Sequence, residues 1–157
     1  MNIVEEVIEL LVQKNYTIST AESCTGGFVG KQLTDYPGVS KIYLGGVISY
    51  SNEVKMNVLG VSAEILNQFG AVSEQTCKEM LQGIKGLMKS DCAIAITGIA
   101  GPDGGTMEKP VGFVCIGVQV LDQCSIQPMY FSGDREEIRN QATEYVFEKL
   151  VKMLSGK

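Results

Sequence analysis

The sequence predicts a single three-layer α/β/α domain in which a mixed β-sheet is covered by helices on both faces. Three observations carry that expectation. Segments with apolar residues at helical spacing alternate along the chain with short β-prone segments. Asp91 to Thr97 is a continuous apolar run, the pattern of a central strand covered on both sides. The 157 residues contain no linker, low-complexity tract or internal repeat, so residues 1–157 are expected to form one domain.

Taken in order, Ile3, Val4, Val7, Ile8 and Leu11 recur with helical spacing, and Asn15 stops that helix before a strand over Tyr16 to Thr20. Glu22, Ser23, Cys24 and Thr25-Gly26-Gly27 form a tight turn into a helix that carries Phe28, Val29 and Leu33 and ends before Pro37-Gly38. Lys41 to Tyr50 reads as a buried strand, with a bulge or close backbone contact at Gly45-Gly46. Glu53 to Leu59 and Ser62 to Phe69 are short helices. A longer helix starts at Ser73-Glu74 and presents Cys77, Met80, Leu81, Ile84 and Leu87 at the 3.6 period. After the Asp91 to Thr97 strand comes a glycine-rich loop from Gly98 to Gly112. Phe113 to Val120 and Ser125 to Phe131 then form a hairpin. The last helix runs from Asp134, its N-cap, to Leu154, with Ile138, Ala142, Tyr145 and Leu150 facing inward.

Composition narrows the function. A formal charge of -5 opposes general binding to nucleic acid or anionic lipid, because those phosphates are bound by clustered Lys and Arg. No stretch of 18 apolar residues occurs, and the N-terminus lacks the pattern of a signal peptide, so a soluble, cytoplasmic protein is expected. The five cysteines are odd in number and have no two-residue metal or redox spacing, so they read as reduced thiols. The chain contains no histidine, which excludes Ser-His-Asp and Cys-His catalysis within it and removes the commonest zinc and iron ligand. Proton transfer falls to Lys, Asp, Glu, Tyr or Cys.

Three polar, glycine-bearing segments stand at the ends of expected strands, where open α/β sheets bind ligands. In Ala21 to Gly27, Ser23 is a candidate nucleophile, and the N–H groups near Thr25 to Gly27 could hold an oxyanion or phosphate; equally, Ser23 or Thr25 could simply cap the helix. Cys24 is a rival nucleophile, although no histidine is present to activate it. In Tyr50 to Lys55, the lysine is a candidate base if burial or nearby positive charge depresses its pKa, and otherwise a solvated surface residue. Thr97 to Gly105 lacks both the P-loop ending and the dinucleotide glycine spacing, and a structural turn accounts for it as well as close approach to a ligand does. Asp103 and Glu108 without a wider cluster give a weak metal signal, so no metal and no cofactor are expected.

Together these segments resemble the CinA C-terminal domain family, named for competence-damage-inducible proteins. The resemblance covers Val4 to Leu154 and is carried by TAESCTGG at Thr20 to Gly27, YSNEVK at Tyr50 to Lys55, GAVSE at Gly70 to Glu74, TGIAGPDGG at Thr97 to Gly105, KPVG at Lys109 to Gly112 and FSGDR at Phe131 to Arg135. It implies a nicotinamide mononucleotide deamidase, an amidohydrolase that yields nicotinic acid mononucleotide and ammonia. By matching position it implies Ser23 as nucleophile and Lys55 as its base, with Tyr50, Thr97 and Arg135 in support. Glu22, Thr25, Gly26, Gly27, Asn52, Gly98 and Gly101 join Thr97 and Arg135 as expected substrate-binding residues. Backbone N–H groups at the Gly26 or Gly98 turns would stabilise the oxyanion, and Arg135 or a helix N-terminus would hold the phosphate.

Some relatives join this domain to a separate N-terminal domain, whose metal-dependent pyrophosphatase activity is not expected here. The competing reading is a non-catalytic nucleotide- or protein-binding module linked to competence or DNA repair. A homo-oligomer is expected, because a small acidic domain with this much apolar sequence can share a strand edge or helix face.

Overall fold

The computed structural model describes residues 1–156. The elements are α1 (Ile3–Lys14), β1 (Ile18–Glu22), α2 (Phe28–Thr34), a short 3₁₀ turn (Val39–Lys41), β2 (Tyr43–Ile48), α3 (Asn52–Asn57), α4 (Ala63–Phe69), α5 (Glu74–Met88), β3 (Cys92–Gly98), β4 (Phe113–Val120), β5 (Gln123–Tyr130) and α6 (Arg135–Ser155). They build one five-stranded mixed sheet in the order β2-β1-β3-β4-β5. β1 is parallel to both β2 and β3, whereas β3-β4 and β4-β5 are antiparallel.

The expected three layers are present, and the alternation of side chains in β3 and β4 explains them. Ile94, Ile96, Val114, Ile116 and Val118 join Val7 and Leu11 of α1, Val29 and Leu33 of α2, and Val146, Phe147 and Leu150 of α6 in one buried cluster. The opposite face carries Ala21, Ala93, Ala95 and Cys115, which meet Cys77, Met80, Leu81 and Ile84 of α5 in a second. Small residues on that face let α5 lie close: a Cβ added at Gly117 would stand 3.2 Å from the Cys77 sulfur.

Helix starts agree with the local signals. Asn2-Glu5 and Asp134-Glu137 form reciprocal capping boxes, and Ser51, Ser62 and Ser73 each accept a backbone N–H at the start of α3, α4 and α5. Asn15 ends α1 in the left-handed region at φ 59°.

Four expectations change. The first strand is shifted to Ile18–Glu22, which puts Ser23 immediately beyond its end. β2 is an edge strand rather than a buried one, with Leu44 and Ile48 exposed, because it pairs only with β1. The close backbone contact foreseen there is real: a Cβ on Gly46 would collide with Thr20. The hairpin turn is tighter than expected, with Leu121 at φ 52° and β5 beginning at Gln123. On α6, Val146 and Phe147 take the inner face and Tyr145 is only half-buried.

Candidate active site

The carboxyl-terminal ends of β1 and β2 meet at the turn that follows Glu22. Glu22 is buried, and its carboxylate accepts hydrogen bonds from the Thr25 hydroxyl at 2.6 Å, Gly27 N–H at 3.2 Å, Val29 N–H at 3.0 Å and Gly30 N–H at 3.0 Å. A carboxylate of the protein itself therefore occupies the N-terminus of α2, where three orphan amides and the helix dipole favour negative charge. Glu22 and Thr25 hold the turn and each other, and the Glu22 carboxylate fills the start of α2, where a phosphate could otherwise sit. Gly26 and Gly27 make the bend, at φ 58° and 103°.

Ser23 leaves β1 with its N–H donated to Ile96 O at 3.0 Å, and its own carbonyl accepts from Gly26 N–H at 3.1 Å. Among the described residues the N–H groups of Cys24 and Thr25 donate to no other residue. Cys24 itself is a poor nucleophile, because burial pushes its thiol up to about 12.

Lys55 comes from α3. Although it lies one turn into a six-residue surface helix, its side chain is only 1% exposed. Its Nζ donates to Ser49 O at 2.7 Å and to Ser23 Oγ at 3.2 Å. Ser49 is fully buried and tied to the end of β1 by its N–H and hydroxyl, both donated to Glu22 O. Lys55 thus has two neutral acceptors and, among the described residues, no carboxylate partner; the one salt bridge is Lys31–Asp35 on the surface. Burial pushes the Lys55 ammonium below its ordinary pKa. A Cys24 thiolate would oppose that shift, but this thiol stays protonated near neutrality.

The other expected residues divide into two groups. Arg135 donates to Gly101 O at 2.7 Å and to the hydroxyl of exposed Tyr50 at 3.1 Å, so the start of α6, the Gly98–Gly112 loop and the β2–α3 connection meet at one guanidinium. Arg135 also lines a cavity of about 380 Å³ with Phe28, Glu136, Arg139 and Asn140. Thr97, by contrast, is buried and donates its hydroxyl to Ala71 O at 2.8 Å, which holds the segment before α5 against β3. Gly98 belongs to β3 and packs under Val114, and Asn52 stands exposed at the first turn of α3. Asp103 and Glu108 are exposed. Among the described residues no three His, Cys, Asp or Glu side chains gather as a metal site.

Two residues of this region escaped the sequence reading. Ser49 was hidden within a segment read only as strand. Arg139, half-buried on α6, donates its Nε to Cys24 O and its Nη2 to Thr25 O, each at 3.0 Å. Its position one helical turn after Arg135 was the available signal.

A family model described as the CinA C-terminal domain matches residues 1–154. The chain belongs to the CinA C-terminal domain family. Among the relatives of this CinA-family chain, a Clostridium beijerinckii protein named as competence-damage inducible is 54% identical over 143 residues, which are 91% of this chain and 35% of the relative. The chain spans about a third of the length of the curated relatives it matches. Solved structures match over nine-tenths or more of their length. A CinA superfamily protein from Klebsiella pneumoniae is 38% identical with a TM-score of 0.94, covering 100% of both chains. One from Escherichia coli is 32% identical with a TM-score of 0.91, covering 97% of this chain and 90% of its own. No helix among the described residues of the CinA-family chain is long and apolar enough to cross a membrane.

Proposed function

We propose that this domain is an amidohydrolase that converts nicotinamide mononucleotide to nicotinic acid mononucleotide and ammonia, with Ser23 as nucleophile and Lys55 as base. The observation that carries the reading is a buried lysine with no carboxylate partner among the described residues, 3.2 Å from a serine hydroxyl at a strand end. An isolated ammonium is expensive to bury, so this environment favours the neutral amine, which is the form a base needs.

Neutral Lys55 has two N–H donors and a lone pair. It can keep its bond to Ser49 O while the lone pair takes the Ser23 proton. The serine oxygen then attacks the carboxamide carbon, and the Cys24 and Thr25 N–H groups, which donate to no other residue among those described, would stabilise the oxyanion. The lysinium returns its proton to the departing nitrogen, which leaves as ammonia. Water, deprotonated by Lys55, releases the acid from the acyl-enzyme. A cationic pyridinium would lower the lysine pKa further by like-charge repulsion. Both the α2 and α6 N-termini are capped by the protein's own carboxylates, Glu22 and Asp134, so the phosphate is assigned to Arg135 in the cavity it lines.

Ammonia release from nicotinamide mononucleotide by purified protein tests the reading. Ser23→Ala is expected to abolish turnover while substrate binding persists, and Cys24→Ala to retain substantial activity. Lys55→Ala should lose about 10²- to 10⁴-fold in kcat, and Lys55→Arg should do no better, because arginine stays protonated. Near-normal turnover by Lys55→Arg would show that Lys55 is only a charge. An inactive parent that still binds the nucleotide would favour a binding module.

A further inference from the structure

We propose that Arg139 is a positioning residue that aims the oxyanion-binding amides of the Ser23 turn; the role rests on the Ser-Lys acyl-transfer reading above. In a trans peptide the C=O and N–H point in opposite directions, so whatever holds one end aims the other. Arg139 Nε holds the Cys24 carbonyl toward α6 and thereby turns the Thr25 N–H away from α6. The Ser23 carbonyl is held in the same manner by Gly26 N–H, which fixes the Cys24 N–H. Among the described residues these two N–H groups donate to no other residue, and they follow directly after the nucleophile. Arg139 Nη2 holds the next carbonyl, that of Thr25, so successive peptide planes are pinned by one rigid fork.

The guanidinium is committed to this task. Among the described residues it makes no salt bridge, and both of its hydrogen bonds go to carbonyls more than 110 residues away in sequence. The turn packs directly on it: a Cβ added at Gly26 would stand 3.4 Å from Arg139 Nη2. Buried Ile138 and Ala142 anchor α6 on either side of Arg139, so the fork is carried on a fixed element. An unpaired positive charge behind the Cys24 and Thr25 peptides also favours negative charge developing in front of them.

The experiment compares the parent with Arg139→Gln and Arg139→Lys in two assays. The first is ammonia release from nicotinamide mononucleotide. The second is the rate at which a fluorophosphonate labels Ser23: the serine oxygen forms a bond to phosphorus, fluoride leaves, the serine proton passes to Lys55, and the phosphoryl oxygen draws on the same amides. The expected result is a fall of about 10²-fold in kcat and in labelling rate for both variants, as for loss of an oxyanion donor. KM should stay within about threefold. In a third variant, Arg139→Ala, labelling should fall likewise and recover in part when free guanidinium ion is added. Labelling at the parental rate in Arg139→Gln would overturn the proposal. So would a loss of rate that merely tracks the fraction of protein unfolded, with each folded molecule turning over normally. If the parent labels but releases no ammonia, the amide substrate reading fails while the labelling contrast still decides the role of Arg139.

Discussion

Lys55 carries an electrostatic cost that its neighbours do not remove. Its two acceptors are neutral, and burial favours the uncharged amine, so its pKa in the folded protein lies below its ordinary value of 10.5. The unfolded chain therefore binds a proton that the folded state resists. Stability falls as pH drops from the ordinary lysine value through the lowered one, and the full penalty is present below it. Lys55→Met, which keeps the length of the side chain without its charge, is expected to raise Tm near neutrality and to flatten the pH dependence of Tm above it. Thermal melts across that range check this; a variant melting below the parent throughout would show that the bonds to Ser49 and Ser23 outweigh the buried charge. The same lowered pKa sets the direction of the rate: activity should rise with pH through it, and that limb should be missing from any residual activity of Lys55→Ala. Such a midpoint belongs to the enzyme-substrate complex as much as to the lysine, so the comparison with the variant carries the assignment.

At the scale of elements, the β1–α2 turn is held by one carboxylate. Glu22 accepts from one hydroxyl and three amides at the start of α2, so Glu22→Gln would turn an NH₂ toward donors and leave at least one buried N–H unpaired. A loss of about 1–3 kcal/mol in unfolding free energy is expected, read by urea denaturation. kcat should fall with it, because Ser23 stands next to Glu22. An unchanged denaturation midpoint would mean that the turn is held mainly from the other side, by Arg139. This element also shows what local sequence can and cannot reveal. The turn, the two glycines and the following helix were legible, because φ preferences and helix starts are written in adjacent residues. The task of Glu22 was not legible: a carboxylate at a strand end has the same local pattern whether it faces a ligand or folds back onto a helix. The misread burial of β2 has a similar origin, since an apolar run records hydrophobicity and not the number of neighbouring strands.

For the whole molecule, the order β2-β1-β3 brings the ends of three parallel strands together and so assembles Ser23, Ser49 and Lys55. The same packing closes off the thiols. Cys24, Cys77, Cys92 and Cys115 are buried and Cys124 is exposed. Burial pushes the Cys92 and Cys115 thiols, like that of Cys24, up to about 12. A thiol reagent is expected to modify Cys124 alone while the protein is folded and all five cysteines once it is denatured. Mass mapping of the modified peptides checks this. Rapid native labelling of Cys24 would show that the Ser23 turn opens on its own, contrary to the multiple bonds that hold it.

Residue order alone determined most of the elements, their caps and the three-layer arrangement, and marked Ser23 and Lys55 as candidates, because apolar periodicity, turn residues and family motifs are contained in short stretches of chain. Tertiary structure alone decided that Lys55 is buried without a counter-ion among the described residues, that Glu22, Thr25 and Thr97 make hydrogen bonds inside the protein, and that Arg139 holds the turn from 114 residues away. Those properties depend on which groups packing leaves beside one another and which it removes from water, and desolvation and hydrogen-bond partnership arise only when distant segments meet.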